Sequence, residues 1–410
     1  MARSVLFVVK SDPGHVLSFL GVAKRLEAAG CEVAFFTCPS DVSPVLARNE
    51  LRARCYFATP EGVEEAPTSH AAQRAWAEKM KTASSRWFVR FIDDYATRRL
   101  APVVNALRST IRKLKPDVVC LDCNQSYAAI AAELERVPWI TASLDLHPLA
   151  PDTLHFPYLD RNRDGDATLA VVARRYGAEV QFRASHPVSP FGNVVFATEH
   201  LMAGSLWDST ELIGPVTWQQ IQRQDRPPFP WERIRAGVPL IYVGSSTVTP
   251  FEDTLVAGIV RSLEGISCQV VLEAASCDPA FISTLPEWLL PISYSARSVV
   301  LERAALMISH GGAATAYEAL AAGCPQLLIP QAFEQPLQAW LVEQNGFGRG
   351  CDPFDVERCR KAVLALIDPD APERRRAREV APALRDCDGS LRLAELLQAP
   401  SFEREQLQHP

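Results

Sequence analysis

Five consecutive apolar residues, Val5 to Val9, stand near the head of the chain with no polar residue among them. A strand with one wet face alternates apolar and polar side chains. An unbroken run of this length therefore reads as a strand covered on both faces, as in a parallel sheet flanked by helices. After a turn at Pro13-Gly14, Leu17, Leu20, Ala23, Leu26 and Ala29 recur at helical spacing until Gly30 stops the segment, and Val33–Thr37 reads as a second strand. The result is a βαβ unit, right-handed as such crossovers are. His15 falls between the first strand and the helix, at the carboxyl end where open α/β sheets bind their ligands.

The alternation continues through strand Val118–Leu121, helix Ser126–Glu135 and strand Trp139–Ser143. A long helical stretch from about residue 71 to 114 carries Trp76, Trp87, Phe88, Phe91 and Tyr95. Residues 145 to 190, rich in Pro, His and Asp, read as loop and helix inserted above the sheet, where a variable ligand sits. Composition breaks after Gly214-Pro215, because Val216 to Arg235 is heavy in Gln, Arg and Pro, as linkers are. A second series then begins: strand Leu240–Val243, a helix from about Glu252, strands Gln269–Leu272 and Met307–Ser309, helix Ala313–Ala322 and strand Gln326–Ile329. The expected fold is α/β, with two Rossmann-like domains facing across a cleft. Their expected bounds are 1–215 and 236–410, joined by 216–235, with the final helices free to cross back to the first domain.

Composition excludes several classes of function. With 48% hydrophobic and 22% charged residues the chain is that of a globular protein, and a net charge of −6 supplies no global field for nucleic acid. The basic run Arg374 to Arg378 reads as a solvated helix face. No apolar run has the length of a membrane helix and no signal-peptide pattern opens the chain, although peripheral contact with a membrane stays compatible with it. The eleven cysteines, an odd number scattered through both halves, suggest reduced thiols and a cytoplasmic setting. Cys120 and Cys123 form a CxxC without a second ligand pair at suitable spacing and read as buried, inert thiols.

The most specific segment runs from Ser309 to Pro325: a strand end, then His310-Gly311-Gly312, then a helix from Ala313. Unpaired amides and the positive end of a helix suit a diphosphate, and two glycines let the backbone approach it closely. Thr315 adds a hydroxyl, His310 an imidazole donor, and Glu318, one turn on, a carboxylate with the reach for ribose hydroxyls. No Asp-x-Asp type of cluster is evident that would hold a divalent metal beside the phosphates, so the expectation is no metal and no cofactor, with the helix start carrying the charge.

With the run Ile329-Pro330-Gln331-Ala332-Phe333-Glu334-Gln335-Pro336 added, the chain resembles the nucleotide-sugar-dependent glycosyltransferases of family 1, which have the GT-B fold. The resemblance covers nearly the whole chain. Together with Pro190-Phe191-Gly192-Asn193 it is strongest toward bacterial members acting on lipophilic acceptors, such as carotenoid or antibiotic aglycones. It implies that His310, Gly311, Gly312 and Thr315 hold the diphosphate, Glu318 the ribose, Glu334 and Gln335 the transferred sugar, and that Ser245 and Ser246 contact phosphate. It further implies that His15 is the acceptor base and Asp122 its supporting acid. Departures exist. Ala313 and Ala314 stand where plant members have Trp and Asn, and Tyr294-Ser295-Ala296-Arg297 stands where many members carry aromatic-x-Pro-Gln, which leaves uridine and thymidine donors both open.

The implied reaction is an inverting transfer of a hexose from a UDP- or TDP-sugar to a small apolar acceptor, a histidine near neutral pKa taking the proton of the attacking hydroxyl. A carboxylate on its other ring nitrogen fixes the tautomer and stabilises the imidazolium. Two other readings share the architecture: a nucleotide-sugar epimerase and a noncatalytic nucleotide-sugar-binding activator. The aromatic stretch at 71–95 and the insertion at 145–190 argue for an acceptor chamber that an epimerase does not need, and an activator has no use for His15 and Asp122.

Overall fold

Two parallel sheets organise the chain in this computed structural model, which describes residues 3–10, 13–37, 51–57, 100–146, 149–202, 206, 210–216, 229–244, 251–292 and 297–399. The first half runs β1 (Ser4–Val8), α1 (Pro13–Ala28), β2 (Glu32–Thr37), β3 (Arg54–Phe57), α2 (Leu100–Leu114), β4 (Val118–Asp122), α3 (Ser126–Glu135) and β5 (Trp139–Ser143). It continues with α4 (Pro157–Arg175), a small antiparallel pair β6 (Gln181–Arg183) and β7 (His186–Val188), then β8 (Asn193–Val195) and β9 (Thr210–Leu212). Its seven-stranded sheet has the order β3-β2-β1-β4-β5-β8-β9. Leu6 and Val8 enter one core with Val104, Leu121 and Trp139, while Val5 and Phe7 enter another with Phe19, Leu26 and Cys120, which is why no polar residue interrupts this run. Each such side chain contributes roughly 1.5–3 kcal/mol by leaving water.

The second half comprises β10 (Leu240–Gly244), α5 (Asp253–Leu263), β11 (Gln269–Glu273), β12 (Leu289–Ile292), α6 (Arg297–Leu301), β13 (Leu306–Ser309), α7 (Ala313–Ala321), β14 (Gln326–Leu328), α8 (Gln335–Gln344) and β15 (Gly348–Gly350). Helices α9 (Val356–Ile367), α10 (Pro372–Asp386) and α11 (Gly389–Gln398) close it. The order is β12-β11-β10-β13-β14-β15. Strand order reverses between β1 and β4 in one sheet and between β10 and β13 in the other, and such switch points open the crevices in which α/β sheets bind ligands.

The halves are joined by packing. Leu146, Leu159, Val195 and Leu201 share one apolar cluster with Tyr317, Leu320, Leu337 and Leu341, and the Thr198 amide donates to the Tyr317 hydroxyl at 2.9 Å. Helix α11 returns to α1, placing Leu393 and Leu397 in the core with Phe19 and Leu26. The approach is close: a Cβ on Gly21 would meet Ser390 Oγ at 2.6 Å, and one on Gly389 would meet the Gly214 carbonyl at 2.3 Å.

Several expectations from the sequence need correction. Helix α1 begins at Pro13, so His15 lies in its first turn and not in a loop before it; proline suits that turn because its missing N–H has no partner there anyway. Arg374 is buried and donates to the Ala305 and Leu366 carbonyls, so only its neighbours Arg375, Arg376 and Arg378 face solvent. Cys351 and Cys359 are joined as a disulfide across Cα atoms 5.9 Å apart, against the expectation of reduced thiols throughout; seven other described cysteines are free. Phe229, Trp231 and Ile234, read as linker, pack with Leu240 and Tyr242 in the second half. Ser245, Ser246, Tyr294 and the aromatic stretch 71–95 lie outside the described residues.

Candidate active site

At the switch point of the first sheet, β1 delivers α1 and β4 ends on Asp122, which pairs with Ala142 of β5. Asp122 is fully buried, and a buried carboxylate must be hydrogen-bonded to remain ionised. Its Oδ2 accepts from His15 Nδ1 at 2.7 Å and from the Lys10 amide at 3.2 Å, while Oδ1 accepts from the Asn124 amide at 3.1 Å. Burial opposes its charge, but His15 and the Asn124 amide outweigh that and hold its pKa below the usual value. Burial likewise opposes charge on His15, and the Asp122 carboxylate outweighs it, so the imidazole pKa is raised. The helix start does not reverse this. Because the carboxylate accepts, the proton sits on Nδ1 and Nε2 is left with its lone pair.

Asp145, two residues beyond β5, shapes the surroundings of this pair. Its charge acts on His15, Asp122 and Tyr158. Its Oδ2 accepts from Asn124 Nδ2 at 3.0 Å, and His186 Nε2 lies 3.7 Å away. The Cys123 thiol reaches the same oxygen at 3.9 Å, so Cys123, Asp145 and His186 place three possible metal ligands within 4.8 Å of one another. The CxxC spacing conceals this set, because its other members come from residues 145 and 186. Burial drives the Cys120 and Cys123 thiols well up, outweighing for Cys123 the opposing effect of the Ser143 hydroxyl 3.4 Å from its Sγ, so both are protonated.

In the second sheet, β13 leads through His310, Gly311 and Gly312 into α7. Gly311 has φ +85°, a conformation costly to residues bearing a Cβ. A Cβ on Gly312, the helix N-cap, would stand 2.6 Å from His310 Nε2, so the imidazole lies close over the cap and would have to shift for a larger residue. His310 is buried, its Nδ1 has no hydrogen-bond partner among the described residues, and burial together with Arg297 lowers its pKa to about 3. It is a neutral ring. Thr315 and Glu318 are buried on α7, facing Arg297. Arg297 Nη1 donates to Thr315 Oγ1 at 2.9 Å and lies 3.4 Å from Glu318 Oε2, while Nη2 lies 3.0 Å from Glu273 Oε2. The Tyr242 hydroxyl donates to Glu273 Oε1 at 2.5 Å.

Glu334 and Gln335 begin α8 after a loop in which Phe333 holds φ +54°, uncommon for a bulky side chain. Phe333 stands edge-on to Tyr158 from the other half, with ring centroids 6.0 Å apart. Gln335 Oε1 accepts from the Gln331 amide at 2.7 Å and the Ala332 amide at 3.1 Å, so this side chain holds the loop in place. Glu334 is half-buried; burial and the charge of Asp145 raise its pKa to about 7, against opposing effects of Lys10 and His15. The loop before α8 therefore faces the His15–Asp122 pair across the cleft. His15 and Asp122 form one group, and His310, Gly311, Gly312, Thr315 and Glu318 another. The sequence reading missed Asp145, whose position just past a strand's carboxyl end was its only signal. It also missed Arg297 and Glu273 as members of the second group.

The chain is similar to known proteins over nearly its whole length. Residues 273–385 match the glycosyltransferase family 28 C-terminal domain. Over 96% of its length the chain is 24% identical to a zeaxanthin glucosyltransferase of Pseudescherichia vulneris, covering 97% of that protein. It is 25% identical to glycosyltransferase GtfE of Amycolatopsis orientalis, covering 96% of each. Among solved structures, the kitacinnamycin glycotransferase superposes with a TM-score of 0.71 at 21% identity, over 97% of this chain and 98% of that one. The spinosyn rhamnosyltransferase SpnG complexed with thymidine diphosphate does so at 0.70 and 17%, over 97% and 100%.

Proposed function

We propose that this chain, a glycosyltransferase with the GT-B fold, transfers a hexose from a UDP- or TDP-sugar to a hydroxyl or other nucleophile of a small hydrophobic natural-product acceptor, with inversion at the anomeric carbon. The observation that carries this reading is the 2.7 Å contact of His15 Nδ1 with Asp122, which leaves Nε2 as a base at a sheet switch point. Nε2 takes the acceptor proton while the acceptor oxygen bonds to the anomeric carbon. The bond from that carbon to the diphosphate oxygen breaks, and its electron pair leaves with the nucleoside diphosphate. Asp122 stabilises the imidazolium that results. The amides opening α7, the Thr315 hydroxyl and a neutral His310 receive the leaving charge. Glu318 takes the ribose and Glu334 the sugar hydroxyls, which a carboxyl group titrating near 7 serves as acceptor or donor. Ser245 and Ser246 add phosphate contacts.

In this reading residues 1–215 take the acceptor, 236–410 take the donor and 216–235 connect them. The helix start carries the phosphate charge without a metal, and no cofactor is needed beyond the sugar nucleotide. The name of one relative, a zeaxanthin glucosyltransferase, supports an apolar acceptor, and the thymidine diphosphate complex supports the TDP alternative. No described helix is long and apolar enough to cross a membrane. We place the protein in the cytoplasm on the seven free thiols among its described residues, where peripheral contact would bring it to a membrane-dissolved acceptor. The test is His15→Ala: turnover should fall roughly 10²–10⁴-fold with donor affinity unchanged, and near-wild-type turnover would overturn the base assignment.

A further inference from the structure

Arg297 stands where the resemblance leads one to seek a carboxamide. Its guanidinium extends two bonds further than a glutamine could. It reaches Thr315 Oγ1 at 2.9 Å and Glu318 Oε2 at 3.4 Å, the hydroxyl and the carboxylate given above to diphosphate and ribose. Nη2 is held by both oxygens of Glu273, at 3.3 and 3.0 Å, and Glu273 is in turn held by Tyr242. Anchored from that side, the guanidinium stays in the site when a ligand displaces its contact to Thr315. Two buried nitrogens have no hydrogen-bond partner among the described residues: its own Nε, a donor, and Nδ1 of His310, a donor in one tautomer of the neutral ring lying over the Gly312 cap. The charges point the same way. Glu273, Glu318 and Arg297 leave the site one negative charge in excess, and His310 is neutral. A diphosphate entering without the guanidinium would meet two carboxylates, with the partial charge of a helix start and neutral donors to attract it.

Resting on the donor-site reading above, we propose that Arg297 is a donor-binding residue whose guanidinium bonds the diphosphate of the sugar nucleotide, and that Glu273 is its positioning residue. The site therefore reads the diphosphate by a fixed cation more than it reads the base.

The test is equilibrium binding of UDP, TDP, uridine and thymidine to the full chain and to Arg297→Gln, Arg297→Lys and the charge-balanced pair Glu273→Gln/Arg297→Gln. Losing a hydrogen bond to a charged group should weaken the preferred diphosphate about 10- to 150-fold. Nucleoside affinity should stay within about threefold, Arg297→Lys should recover part of the loss, and the balanced pair should show the same selective loss if Arg297→Gln alone fails to fold. Diphosphate binding at the wild-type level in either glutamine variant overturns the proposal. So does an equal loss of diphosphate and nucleoside, which marks a purely structural role. If the wild type itself binds neither diphosphate, the donor-site reading falls and this proposal with it; if it binds one and the ratio does not move, only this proposal falls.

Discussion

Asp122→Asn tests the catalytic pair through both its rate and its pH dependence. Three N–H groups converge on the buried carboxylate, from His15 and Lys10 on Oδ2 and from Asn124 on Oδ1. An asparagine offers one acceptor oxygen in place of two. If that oxygen serves Asn124, the amide NH₂ faces the Lys10 amide, a buried mismatch worth roughly 1–3 kcal/mol of stability. The same NH₂ favours the His15 tautomer with its lone pair on Nδ1, which puts a proton on the nitrogen that must act as base. In serine proteases the corresponding exchange costs about 10⁴ in turnover, so we expect a fall of about 10²–10⁴ here with donor affinity unchanged. The pH profile gives an independent sign. The base works unprotonated, so activity rises with pH through the His15 pKa, which burial lowers and Asp122 raises more, to a net position above 6.5. Removing the carboxylate leaves the burial effect alone, and the acid limb of kcat/KM must move to lower pH even as the maximum falls. Stopped-flow or coupled detection of nucleoside diphosphate release between pH 5 and 8 resolves it. An acid limb that stays in place, or moves upward, would refute the pairing.

Gly312→Ala would set a methyl 2.6 Å from His310 Nε2, so we expect about 1–3 kcal/mol of destabilisation in urea melts and weaker nucleoside diphosphate binding; an unchanged protein in both assays would contradict the placement of the ring over the cap. Activity should survive exhaustive chelation, because the helix start and its donors carry the leaving charge; complete loss with EDTA, restored by magnesium or manganese, would contradict that.

The parts of the fold legible in the sequence are those built from long apolar runs. Strand Trp139–Ser143 and helix Ser126–Glu135 have the expected bounds, because both faces of the strand are buried and an alanine-rich helix packs beside it. Strand β15, Gly348-Arg349-Gly350, carries no apolar periodicity; it exists because a glycine lets the backbone lie against Gln326, where a Cβ would meet the carbonyl at 2.1 Å. Gly311, Gly312 and His310 were legible because a strand-to-helix turn is local. The links of Arg297 to Glu273 and Glu318 were not, since they join residues 24 and 21 apart that only the parallel sheet brings together. Asp145 and His186, 41 residues apart in sequence, meet because the antiparallel pair β6–β7 brings His186 up to the end of β5. The Cys351–Cys359 pair spans a short loop, and the count of cysteines hid it.

Inverting transfer from a nucleotide sugar can be followed at both the donor and the product by nuclear magnetic resonance. The purified chain is incubated with a panel of α-linked UDP- and TDP-hexoses and apolar hydroxylated acceptors, and released nucleoside diphosphate and the anomeric coupling constants are followed together. One nucleoside diphosphate should be released per glycoside formed, with the new linkage β. A retained α linkage, or an epimerised sugar nucleotide with no diphosphate released, would contradict it.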